Sequence, residues 1–144
     1  MLFQNILAAY DGSKASNKAL DHAIELAKLT PGAKLDVVHA FDFPRVFIGE
    51  AMAPIPASVN QEIYELAEQT VEELRTRLKE AEVDAEVVMI QGDAAEVILE
   101  YAKQKQSDLI VIGSRGLGGI REFMLGSVSH NVVQNAKIPV LIYK

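Results

Sequence analysis

The sequence predicts an α/β fold: an open, parallel, five-stranded sheet with helices on both faces, in three layers. Three observations carry that expectation. Short apolar runs of strand character alternate with longer segments of helical periodicity along the chain. The runs are near-continuous in apolar residues, as in strands buried on both faces. Turn and capping residues sit where one period gives way to the next. Strands and helices alternating in this way build a parallel sheet covered on both sides.

The elements follow in order. Residues 2–9 form a short apolar run and read as a buried strand, which Asp11-Gly12-Ser13 then breaks. From Lys14 to Leu29, Ala19, Leu20, Ala23, Ile24 and Ala27 recur at helical spacing, and Pro31-Gly32 ends the helix. Residues 35–41 read as the second strand. Residues 42–57 read as irregular, with Pro44, Gly49, Pro54 and Pro56. That length approaches the roughly 12–15 residues beyond which a structureless loop is uncommon, which points to function or mobility. Val46, Phe47, Ile48, Met52 and Ile55 set it apart from a plain solvated linker.

Ser58 with Gln61 reads as a capping box. Ile63, Ala67, Thr70, Val71, Leu74 and Leu78 then line one helical face, with Glu65, Glu68, Glu72, Glu73 and Arg75 mostly off it. Residues 83–90 make a third strand. Asp93 with Glu96 reads as a second capping box, before a helix through Val97, Ile98, Tyr101 and Ala102. Ser107-Asp108 leads into a fourth strand, Leu109-Ile110-Val111-Ile112. After a glycine-rich loop, Ser127 is expected to cap a helix running to about Ala136. Residues 139–143 make the fifth strand, with proline tolerated at its first position.

Composition narrows the function. At 144 residues, 49% of them hydrophobic, the chain suits one globular domain, residues 1–144. Its net charge of −6 with no basic run argues against nucleic acid as a partner. With no cysteine, disulfides, thiolate chemistry and zinc ribbons are excluded. No cationic leader or membrane-length apolar run is present, so a soluble, cytoplasmic protein is expected and no membrane partner.

Chemistry concentrates after the fourth strand. Gly113, Gly116 and Gly126 followed by Ser127 give the spacing Gly-x2-Gly-x9-Gly-Ser, and five glycines fall between Gly113 and Gly126. Such a loop approaches a ligand closely, and amides at the next helix start can cradle phosphate oxygens. It is no P-loop, because Gly-Lys-Ser/Thr is missing. In open α/β sheets ligands bind beyond the strand carboxyl ends at the switch point. If the first and fourth strands are neighbours, Asp11 faces the same crevice. There it can accept from ribose hydroxyls or help hold a metal ion; as plain chemistry, Asp-Gly-Ser is also a common turn and cap.

Taken together, Gly113-x2-Gly116-x9-Gly126-Ser127 resembles the ATP-binding signature of the universal stress protein family. Asp11-Gly12-Ser13, Val38-His39-Ala40, Gly92 and Ile138-Pro139-Val140-Leu141 match the same pattern, so the resemblance spans essentially the whole chain. It implies a Rossmann-like sheet ordered 3-2-1-4-5. It implies that Asp11 and Gly113 contact ribose and that Ala9, Ala40 and Ile112 pack around adenine. Gly116, Gly126, Ser127, Val128 and Ser129 would hold the phosphates of ATP through backbone amides and hydroxyls. Magnesium would bridge phosphate oxygens, with no protein residue assigned as its ligand. Ala40 departs from the bulkier valine often found there, which loosens the adenine slot. The resemblance also implies a homodimer through the apolar last strand.

Arg115 and Arg121 lie in the loop, either offsetting phosphate charge or simply solvated. His39 is expected to be a satisfied structural histidine; His22 and His130 fall on helices. No residue is assigned a catalytic role, since Asp11 alone among carboxylates is placed at the crevice and a hydrolase needs a positioned base or water-orienting group. The expected function is a nucleotide-dependent regulatory module in stress response. A slow ATPase or phosphotransferase, and a nucleotide-independent interaction module, are the alternatives.

Overall fold

The computed structural model describes residues 3–116 and 125–144. Seven strands and four helices follow one another within them: β1 (Asn5–Ala9), α1 (Lys14–Leu29), β2 (Lys34–Phe41), β3 (Val46–Ile48), β4 (Ala51–Ala53), α2 (Ala57–Glu80), β5 (Ala85–Gln91), α3 (Ala94–Gln104), β6 (Leu109–Gly113), α4 (Ser127–Asn135) and β7 (Val140–Tyr143). The main sheet is five-stranded and parallel, in the order β5-β2-β1-β6-β7. Numbering only these five strands along the chain, that is the expected 3-2-1-4-5.

Each central strand feeds both cores. Ile6 and Ala8 of β1 face α1 and α2, whereas Leu7 and Ala9 face α3 and α4. Leu109 and Val111 of β6 join the first core, Ile110 and Ile112 the second. A strand with period two that is covered on both faces must be apolar at every position, hence the unbroken runs. The α1 residues read from periodicity, Ala19 to Ala27, are all buried. On α2, Ala67, Val71, Leu74 and Leu78 are buried, while Ile63 and Thr70 are partly so. Among the described residues no helix is long and apolar enough to cross a membrane.

The structure corrects four expectations. Residues 42–57 are not irregular throughout: β3 and β4 pair antiparallel, with Phe47 opposite Met52. Strands of three residues each are too short to show a period beside three prolines, so sequence alone does not reveal them. Ser58 does not cap α2; the helix begins a residue earlier, at Ala57, behind Pro56, with no side-chain cap. Ser127 is likewise the first residue of α4, and Gly126 holds the cap position. The third main strand starts at Ala85, two residues later than expected, because Glu82 turns left-handed after α2. Asp93 does cap α3, its Oδ2 accepting the Glu96 amide at 3.1 Å.

Candidate functional site

β1 and β6 lie side by side with Ile6 opposite Leu109. After β1 the chain enters α1 on one face; after β6 it reaches α4 on the other. The sheet opens at such a switch point. A cavity of about 660 Å³ lies there, and every residue foreseen for the site lines it: Ala9, Asp11, Ala40, Ile112, Gly113, Gly116, Gly126, Ser127, Val128 and Ser129.

The turn after β1 sets Asp11. Gly12 adopts a φ of +85°, a conformation open to glycine and costly for most side chains. Asp11 Oδ1 accepts the Ser13 amide at 2.9 Å. Ser13 caps α1, its Oγ accepting the Ser16 amide at 3.1 Å, and its hydroxyl donates to the Arg115 carbonyl at 3.4 Å. That last bond ties the two loops of the crevice together. The other Asp11 oxygen, Oδ2, lies against Gly116.

The loop after β6 is held on both sides. The Ser114 amide donates to the Tyr143 carbonyl at 2.6 Å, and the Gly126 amide to the Ser114 carbonyl at 2.8 Å. The buried Ser129 hydroxyl donates to that same carbonyl at 2.7 Å. Gly126 and Ser129 thus commit an amide and a hydroxyl proton to the loop itself. What remains for an anion is the first turn of α4. No side chain caps it, and the leading amides of a helix have no acceptor within it. The helix dipole adds about half a positive charge at that end.

Gly113 plays a packing part. A β-carbon there would stand 2.7 Å from Ala15 Cβ and 2.8 Å from the Ser16 amide nitrogen. Only a bare backbone lets α1 lie this close to β6.

The opposite wall is apolar. Val38, Ile98 and Leu125 extend the surface made by Ala9, Ala40 and Ile112. Val38 was legible as a wall residue, since it shares a face of β2 with Ala40. Ile98 was not, because only tertiary packing brings α3 over the strand ends. Arg115 also lines the cavity, while Arg121 lies outside the described residues.

His39 is satisfied: its Nδ1 lies 2.9 Å from the Tyr10 carbonyl, which only accepts, so Nδ1 carries the hydrogen. His22 stacks on Tyr143 with ring centroids 4.1 Å apart, and His130 is exposed on α4. The shifted acids sit away from the cavity. Burial pushes the Asp36 carboxyl up, and burial together with Asp36 and Glu86 raises the Tyr101 phenol to about 12. Among the described residues no group of three or more His, Asp or Glu is arranged to hold a metal.

Comparison with known proteins gives one pattern. The family model described as the universal stress protein family matches residues 2–144. Universal stress protein YxiE of Bacillus subtilis is 37% identical, over 99% of this chain and 100% of its own. Universal stress protein UspA from Lactobacillus plantarum superposes with a TM-score of 0.80 at 24% identity, covering 100% of this chain and 99% of its own, a likeness of fold. A universal stress protein solved in complex with cAMP superposes with a TM-score of 0.72 at 28% identity, covering 100% and 99%.

Proposed function

The chain belongs to the universal stress protein family, and on that premise we propose that it is an ATP-binding regulatory module, residues 1–144 acting as one domain. One observation carries the reading: residues from four separate stretches of sequence, foreseen as a nucleotide site, line a single cavity. Its volume of about 660 Å³ falls within the range usual for small-molecule sites, roughly 300–1,000 Å³. A relative at 28% identity binds cAMP, which supports an adenine nucleotide as ligand class.

In this reading adenine packs against Ala9, Ala40 and Ile112, widened by Val38 and Ile98. Asp11 accepts from a ribose hydroxyl beside Gly113. The phosphates meet the leading amides of α4 at Ser127, Val128 and Ser129. Gly116 contributes close approach, since a side chain there would crowd Asp11, and Gly126 runs close beside the Arg115 and Ser114 backbone. Asp11 is the one carboxylate among the described residues lining the cavity. A magnesium ion would therefore ride mainly on phosphate oxygens and water, its usual mode beside one or two carboxylates. Its chemistry would be to neutralise phosphate charge.

Binding rather than turnover is proposed, because Asp11 already spends one oxygen on the Ser13 amide. The output would be a shift in surface. ATP can bias such a shift only by binding one state more tightly. Two surfaces are suited to report it. The β3–β4 hairpin follows β2 at the cavity end of the sheet and exposes Val46, Phe47, Ile48 and Met52. β7 is an edge strand of Val140, Leu141, Ile142 and Tyr143, a template for pairing with a second copy about a two-fold axis.

Calorimetry with ATP, AMP and cAMP tests the reading, alongside mass spectrometry of nucleotide released on denaturing the purified protein. Saturable binding of an adenine nucleotide is expected. No binding of any of the three, and none released, would overturn it.

A further inference from the structure

We propose that Arg115 is the residue by which this chain senses phosphate charge, setting its preference for ATP over AMP. The proposal rests on the nucleotide reading of the same cavity and says which nucleotide that cavity favours.

The protein carries a net charge of −6, so its overall field opposes a polyanion. The cavity compensates sparsely. Among its described lining residues Arg115 is the one cation, and Asp11 the one anion. The start of α4 supplies about half a charge, which suits a single phosphate group. Every further phosphate adds negative charge that this helix end cannot match. A full positive charge fixed on the protein at the same end, beside any magnesium carried on the phosphates, favours the longer chain.

Arg115 is built into that end. It stands between Gly113, which closes β6, and Gly116, which abuts Asp11. Its carbonyl accepts the Ser13 hydroxyl, and its backbone runs beside Gly126, where a β-carbon would stand 3.4 Å from the Arg115 Cα. The residue thus spans the contact between the β6 loop and the cap of α4.

The Arg115 side chain belongs to a half-buried residue lining the cavity. Among the described residues it has no hydrogen-bond or ion-pair partner. By contrast, Arg75 is bound to Glu72, and Arg77 to Asn17 and Asp21. A guanidinium is always charged and presents a planar fork that matches two phosphate oxygens. The adenine wall of Ala9, Ala40 and Ile112 is apolar and indifferent to charge. Base and phosphate are therefore read by separate residues. Changing Arg115 should alter the ranking of nucleotides while leaving the base site intact.

The experiment is calorimetric titration of adenosine, AMP and ATP into the wild type, Arg115→Gln and Arg115→Lys, each at low and at high salt. Expected for Arg115→Gln is a loss of about tenfold in ATP affinity, a smaller loss for AMP and none for adenosine. Arg115→Lys should recover most of the ATP affinity. The salt dependence of ATP binding should flatten in the Gln variant, since screening acts on the charge removed. An equal loss for all three ligands would make Arg115 a scaffold residue and overturn the proposal. So would wild-type ATP affinity in Arg115→Gln. A wild type that binds none of the three overturns the nucleotide reading and this proposal with it.

Discussion

Asp11 and Gly116 touch across the crevice: a β-carbon on Gly116 would stand 2.7 Å from Asp11 Oδ2 and 3.9 Å from its Cγ. The two residues come from different loops, one after β1 and one after β6. Gly116 is not among the positive-φ glycines, so its lack of a side chain serves this approach rather than a left-handed turn. Gly116→Val should swing the Asp11 carboxylate away and crowd the phosphate end. Nucleotide affinity should fall by tenfold or more, with thermal stability changed by no more than the roughly 0.5 kcal/mol usual at exposed sites. Calorimetry and a thermal melt on one sample separate the two effects.

Gly113 should behave in the opposite way. Its added β-carbon would meet Ala15 Cβ at 2.7 Å and the Ala15 carbonyl carbon at 2.8 Å, and backbone cannot rotate aside. Gly113→Ala should push α1 from β6 and cost about 1–3 kcal/mol, the usual range for overpacking. Urea unfolding measures it directly; an unchanged midpoint would count against the packing role.

Ser129→Ala tests the clamp on the loop. The mutation leaves the Ser114 carbonyl with the Gly126 amide alone, where it now also accepts the buried Ser129 hydroxyl. A loss of about 1 kcal/mol is expected, the net worth of a typical buried hydrogen bond. Hydrogen exchange at Gly126 should quicken along with it.

Asp36 and Tyr101 give the chain a pH signature unrelated to the cavity. Burial raises Asp36 above its ordinary 3.8, against the pull of Lys105 and Lys34 and with the push of Glu86. The folded state then holds this proton more tightly than the unfolded one. The sign follows: Asp36 favours folding at pH below its ordinary value, and that contribution is lost as pH rises through the raised one. Asp36→Asn should flatten stability over this acid window in urea titrations. The Tyr101 hydroxyl is buried with no partner among the described residues, and its contribution is likewise lost as pH climbs from 10.0 towards about 12. Tyr101→Phe removes an unsatisfied group and should be neutral or stabilising at neutral pH. Marked destabilisation would mean the hydroxyl has a partner after all.

The β3–β4 hairpin should contribute little to folding. Phe47 is 58% and Met52 63% exposed, and a lone two-stranded ribbon is marginal in water. The double change Phe47→Ser, Met52→Ser should leave the unfolding midpoint nearly unmoved. If the hairpin reports nucleotide, exchange of its amides should change on adding ATP. Identical exchange with and without ATP would remove it as the output.

How much was legible follows from the range of each interaction. Strand runs, the α1 face from Ala19 to Ala27, and the Asp93 cap are written in spacings of a few residues, so they could be read directly. The hairpin could not: three-residue strands carry no measurable period, and their pairing depends on a turn at Gly49 whose φ is +66°. The missed cap at Ser127 has a related cause. Ser127 and Gly126 both suit the position, and the Ser114 carbonyl settles it by taking the Gly126 amide.

By itself, then, the sequence determined the α/β alternation, the two-sided burial of the strands and the residues around which a nucleotide site could form. These are local patterns, and side-chain period alone enforces them. Tertiary structure decided what those residues do for one another. It set Asp11 against Gly116 and α1 against Gly113. It committed the Gly126 amide and the Ser129 hydroxyl to the loop, and drew Ile98 to the cavity. Sequence spacing does not specify these contacts; those that join the loops after β1 and β6 exist because the strand order makes the two strands neighbours.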